Sequence, residues 1–217
     1  MYSLTAAFYF FGAFFSAGLA FSIAYLMLAS FRTVRSQYLL GFPIGFTLLG
    51  FAYVFYGLAY LMPFLEDNST WFYLLLDAYG FAFLAFTYFF GRASQASTRI
   101  GPERWYLLLT ASAGVVAVAV VLSASLLPEF RAVDGFLRVA NLIFIGYMIY
   151  SLNRALKAEA ELSTVVLGFT FLAIEQYSLL LWALDRAFEW AFLFAHLIRM
   201  TGLAILVAFI IKEFRRA

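Results

Sequence analysis

The sequence predicts an all-α integral membrane protein of seven transmembrane helices, in a 3+1+3 arrangement of two parallel three-helix repeats around a linker helix. Three observations carry this prediction. First, 65% of the 217 residues are hydrophobic and only 12% are charged, a composition that no water-facing domain of this size tolerates. Second, apolar runs of about 20 residues, the length that crosses a hydrocarbon core of about 30 Å, recur between short charged breaks. Third, stretches of the first half reappear about 122 residues later.

The first span is expected over about 4–31. It lacks a basic leading segment and its apolar stretch is long, with Arg32 and Arg35 following, so it reads as a membrane helix and not a cleaved signal. Gly12, Ser16, Ala20 and Ala24 recur every four residues along it, a small-residue stripe that lets another helix backbone approach. The second span, 38–62, holds Pro43, the one proline of four placed inside a span. The acidic stretch LEDNST and its Asn68-Ser69-Thr70 sequon are expected in the loop before the third span, 71–91. The fourth, 104–127, is small and aliphatic, whereas the other six carry most of the 28 Phe and 14 Tyr. The remaining spans are 135–153, 163–184 and 188–211.

Self-comparison accounts for the odd composition of the fourth span. IAYLMLASFR (23–32) aligns with IGYMIYSLNR (145–154), and DAYGFAFLAF (77–86) with RMTGLAILVA (199–208), each 122 residues on; GFTLLG (45–50) aligns with GFTFLA (168–173), 123 residues on. Repeat one thus covers about 4–91 and repeat two about 135–211, with 104–127 as linker, in a single transmembrane domain of residues 1–217. An odd linker leaves both units running in the same direction. The plan resembles that of the SWEET/PQ-loop transporters and of microbial rhodopsins. No Pro-Gln dipeptide occurs, however, and Lys157 and Lys212, the only lysines, flank spans, which excludes a retinal Schiff base.

Basic residues set the direction. Arg32, Arg35, Arg92, Arg99, Arg104, Arg154, Lys157, Lys212, Arg215 and Arg216 fall on one side, and only Arg131 and Arg186 on the other. The positive-inside bias therefore places the N-terminus outside and the C-terminus in the cytoplasm, as expected of a multi-pass protein of the cell membrane.

Within these spans lie charges that hydrocarbon does not welcome. At 1.5 Å per residue, Asp77, Glu175 and Arg199 come out about 20–23 Å above the cytoplasmic boundary, with Arg138, Asn141, Gln176 and His196 within about a helical turn. Each charge facing lipid would cost about 2.5–3.5 kcal/mol, so the groups must turn inward and pair. Asp77 and Arg199 occupy equivalent repeat positions and are expected to form an ion pair, with Glu175 and His196 beside it. Arg138 sits near the outer boundary, where snorkelling is expected. Asn141 reads as interhelical glue, and Tyr53, Tyr79 and Tyr177 as an aromatic core face.

With no cysteine and one histidine, thiolate chemistry and histidine-rich metal sites are absent. Phosphate-binding loops are missing too, and Ser178 is a poor nucleophile candidate for His196. Neither enzyme activity, cofactor nor metal is expected, and a net charge of +2 with no long basic run gives no reason to expect nucleic acid. The expected function is a small transporter or channel with a buried charged site in the outer half of the bilayer, compatible with proton coupling. Its ligand and proton candidates are Asp77, Arg138, Asn141, Glu175, Gln176, His196 and Arg199. The alternatives are a seven-helix receptor or sensor acting through a partner, and a membrane subunit or scaffold of a larger complex. The partners are the lipid bilayer, a small molecule or ion, and a second copy or another protein.

Overall fold

Lipid offers no partners to backbone amides, so each apolar run must close its hydrogen bonds within itself, and a helix is the single-segment solution. The computed structural model describes residues 4–34, 37–61, 66–93, 102–122, 130–155 and 162–215, and all are helical or in short turns between helices. Seven α-helices follow in order: α1 (Leu4–Val34), α2 (Gly41–Leu61, entered through a 3-10 turn, Gln37–Leu40), α3 (Glu66–Ala93), α4 (Pro102–Leu122), α5 (Phe130–Ala155), α6 (Leu162–Leu184) and α7 (Glu189–Phe214). All except α4 are long and apolar enough to cross a membrane, with spans of 20 to 25 residues, consistent with a multi-pass helical membrane protein. In α4 the apolar stretch is Arg104–Val120.

Two boundaries differ instructively from the sequence reading. Helix α3 starts at Glu66, so the Asn68-Ser69-Thr70 sequon lies in its opening turns and not in a loop, with Ser69 buried. Helix α5 starts at Phe130, which brings Asp134 into the helix, one turn before Arg138. Polar residues can extend a helix past its apolar run, and hydropathy does not register the extension. Residues 123–127 of the expected fourth span, together with Arg35, Arg99, Lys157, Glu161 and Arg216, lie outside the described residues.

Six helices close into a ring. Each packs on the next in the order α1, α2, α3, α5, α6, α7, and α7 returns to α1; α4 lies outside, against α3. Small residues permit the tight crossings. A Cβ added to Gly80 would meet the Gly45 carbonyl oxygen at 3.1 Å, and one added to Gly202 would meet the Gly168 carbonyl oxygen at 3.1 Å. These glycines hold α2 against α3 and α6 against α7. The α1 stripe of Gly12, Ser16, Ala20 and Ala24 is wholly buried. It borders α7: a Cβ on Gly12 would meet the Met200 sulfur at 3.7 Å, and Ser16 bonds Arg199.

The ring interior divides along its length. Toward the C-terminal ends of α3 and α7, fully buried Leu49, Phe81, Leu84, Leu172 and Leu203 fill it with Phe46, Phe169 and Leu206. The opposite end is aromatic, with Tyr56, Tyr60, Phe192 and Trp182 in ring contact. Between them lies a polar layer.

Candidate functional site

Asp77 on α3 and Arg138 on α5 form the first part of that layer. The Asp77 Oδ2 atom accepts from Arg138 Nη1 at 2.8 Å, from Asn141 Nδ2 at 3.0 Å and from Gln176 Nε2 at 3.1 Å. Arg138 spends its remaining donors inside the bundle. Its Nε donates to Asp134 Oδ1 at 3.0 Å, its Nη2 to the Tyr73 hydroxyl at 3.0 Å and its Nη1 also to Gln176 Oε1 at 3.0 Å. Asn141 Nδ2 reaches the same Gln176 oxygen at 3.1 Å. All three guanidinium nitrogens are thus engaged within the bundle, with four hydrogen bonds between them.

The second part centres on Arg199 of α7, which is fully buried. Its Nε donates to Ser16 Oγ on α1 at 3.1 Å, and Ser16 in turn donates to the Gly12 carbonyl at 2.8 Å. Its Nη1 lies 3.6 Å from Glu175 Oε1, an ion pair without a hydrogen bond. Its Cζ sits 4.4 Å from the Tyr53 ring centre and 5.7 Å from that of Tyr56. Two aromatic faces thus supply part of the stabilisation that water would give.

His196 lies one turn from Arg199, among Tyr9, Tyr56 and Phe192, with ring centres 5.0, 5.1 and 4.7 Å away. Its Nδ1 is 2.7 Å from the Phe192 carbonyl oxygen. A carbonyl only accepts, so Nδ1 carries a hydrogen. The Nε2 atom is buried without a hydrogen-bond partner. Both Glu175 oxygens, Asp77 Oδ1, Asn141 Oδ1, the Tyr53 hydroxyl and Arg199 Nη2 are likewise buried and unbonded. Such atoms are costly in a fold and mark places where a proton, water or ligand belongs.

The layer therefore gathers all seven sequence candidates, each buried, but pairs them differently from the sequence expectation. Asp77 binds Arg138, and Arg199 faces Glu175; no Asp77–Arg199 pair forms. The reason is lateral: α3 packs on α2 and α5, while α7 packs on α6 and α1. Asp77 is short and meets the long arginine of its neighbour. Arg138 does not snorkel, because Asp134, Asp77, Gln176 and Tyr73 satisfy it within the bundle. Glu175 and His196 do flank Arg199 as expected. The aromatic face is broken: Tyr53 is fully buried, whereas Tyr177 is 53% exposed.

Sequence reasoning overlooked three partners. Asp134 stood one residue outside the expected span, although its spacing of four from Arg138 was the available signal. Ser16 was visible only as a small residue, and Tyr73 carried no signal. Comparison of the chain with family models, with curated proteins and with solved structures finds no match.

Proposed function

We propose that the protein is a small proton-coupled membrane transporter, built from two copies of a three-helix unit, with the buried polar layer as its site. What supports this reading most is that the sequence alignment of the two halves pairs residues of that layer. Asp77 and Arg199 stand 122 residues apart, as do Ser16 and Arg138; Tyr53 and Gln176 stand 123 apart. Across one seam Asp77 bonds Arg138 and Gln176, and across the other Arg199 bonds Ser16 and lies over Tyr53. The glycine contacts Gly45–Gly80 and Gly168–Gly202 correspond in the same way. The seam between α3 and α5 then matches the seam between α7 and α1.

Ionisable groups at the interface of two repeats are the pattern of a transport site. In the mechanism, Glu175 is the proton carrier, since both of its oxygens are unbonded. Release of the Glu175 proton engages Arg199 with its single carboxylate, and renewed uptake frees it again, while Ser16, Tyr53 and Tyr56 retain the guanidinium. The halves then rock about the α3–α5 and α7–α1 seams, each half held together by its own glycine crossing, and Arg199 and Asp77 exchange partners. With the positive-inside orientation, the aromatic end faces outside in the cell membrane. The protein would act without covalent chemistry.

A sensor is the second reading, and one observation favours it. The apolar plug of Phe46, Leu49, Phe81, Leu84, Phe169 and Leu172 leaves the layer polar groups toward the aromatic end only. Proteoliposomes under an imposed proton gradient, with an entrapped pH dye and a panel of small solutes outside, separate the two. Transport predicts that at least one solute drives luminal pH change in wild type and none does in Glu175→Gln. A pH response with no solute, or none at all, refutes it.

A further inference from the structure

Among the described residues, the buried layer holds three carboxylates and two guanidiniums. Asp77, Asp134 and Glu175 are 0%, 4% and 0% exposed, and Arg138 and Arg199 are 2% and 0% exposed. The extended α5 brings Asp134 into the layer as a third acid beside Asp77 and Glu175. His196 does not supply the missing positive charge. An imidazolium would place a charged N–H at Nε2, where no acceptor stands, one turn from Arg199. Among the described residues, the hydrogen-bond and ion-pair partners of the three carboxylates are Arg138, Arg199, Asn141 and Gln176.

The three acids are not equivalent. Asp77 accepts three hydrogen bonds and Asp134 accepts one from a guanidinium. Glu175 accepts none, and its nearest cation is 3.6 Å away. A carboxylate is stabilised by the donors aimed at it, so the acid without donors is where added positive charge gains most. We propose that Glu175 is a proton-binding site and that, at neutral pH, the layer holds one proton there, giving it zero net charge. A neutral carboxyl also lessens the demand for the donors that Glu175 lacks.

A proton suits this place better than a metal cation. It adds directly to one oxygen, whereas sodium needs several oxygens around it and would have to sit beside the Arg199 guanidinium. The charged and titratable groups that bear on Glu175 are Arg199 from α7, Arg138 from α5, Asp77 and Tyr73 from α3, and Tyr53 from α2. This inference concerns the resting charge and does not depend on transport.

Infrared spectroscopy of the purified full chain in lipid nanodiscs at neutral pH tests it. Wild type should show the carbonyl stretch of a carboxylic acid, shifted by exchange into D2O and absent in Glu175→Gln. Asp134→Asn restores two acids against two bases, so it should abolish the band although Glu175 is intact. Arg199→Gln leaves three acids and one base and should double the band, which keeps the test open if Asp134→Asn does not fold. A merely structural Glu175 would show neither remote effect. The proposal is overturned by a wild type without the band, by a band that survives in Glu175→Gln, or by one seen only when sodium is withdrawn, which makes sodium the counter-charge. A band in wild type together with no solute-linked proton movement would leave the proton seat standing and remove the transport reading.

Discussion

At the scale of residues, the two buried arginines are unequal. Arg138 donates four hydrogen bonds and neutralises two acids, while Arg199 donates one and faces its acid at 3.6 Å. Removing one partner of a buried pair costs about 3–5 kcal/mol because the other charge is stranded. Arg138→Gln strands both Asp77 and Asp134 and should fall in or above that range. Arg199→Gln should cost less, since a protonated Glu175 is not stranded. Thermal unfolding in detergent ranks the two, and equal losses would contradict the assignment. The burial of Asp77, Glu175 and Arg199 was legible in the sequence, because charge in an apolar run has nowhere else to go. Their pairing was not. Rise per residue fixes height along a helix, but the identity of the facing helix depends on the order of the ring. Arg138 shows the same limit: its height suggested snorkelling, and only the position of Asp134 and Tyr73 explains why it stays inside.

At the scale of helices, packing turns on where a glycine faces. A Cβ on Gly80 would lie 2.7 Å from Leu49 Cγ, and one on Gly168 would lie 2.6 Å from Leu206 Cδ2. Gly80→Ala and Gly168→Ala should each destabilise by about 1–3 kcal/mol, the range for overpacking. Gly114 on α4 has nothing within 4 Å, so Gly114→Ala should be neutral or stabilise by up to about 1 kcal/mol through helix propensity alone. Melting midpoints of the three variants check the contrast. The helices themselves were legible from apolar run length, and the odd composition of α4 matches its place outside the ring. Their polar extensions were not, since Glu66–Thr70 and Phe130–Asp134 lie beyond the apolar windows. Those extensions moved the sequon onto α3 and Asp134 into the site.

At the scale of the whole molecule, the ring brings polar groups from six helices to one level and encloses them. The orientation expected from basic residues is open to direct test, because the chain has no cysteine. Exposed Arg186 and Lys212 mark opposite ends. In intact cells a membrane-impermeant thiol reagent should label Arg186→Cys and spare Lys212→Cys until the membrane is opened; the reverse pattern would invert the topology. The alignment of Asp77 with Arg199 suggested that the two would pair. They do not, because α3 and α7 lie across the ring from each other. Everything proposed for the site depends on which charges meet inside that ring. Double-mutant cycles on folding stability measure it most directly. The coupling of Asp77 with Arg138 should exceed that of Asp77 with Arg199 by about 1 kcal/mol or more, within the span seen for contacting pairs. Coupling of Asp77 to Arg199 as large as or larger than coupling to Arg138 would contradict the account.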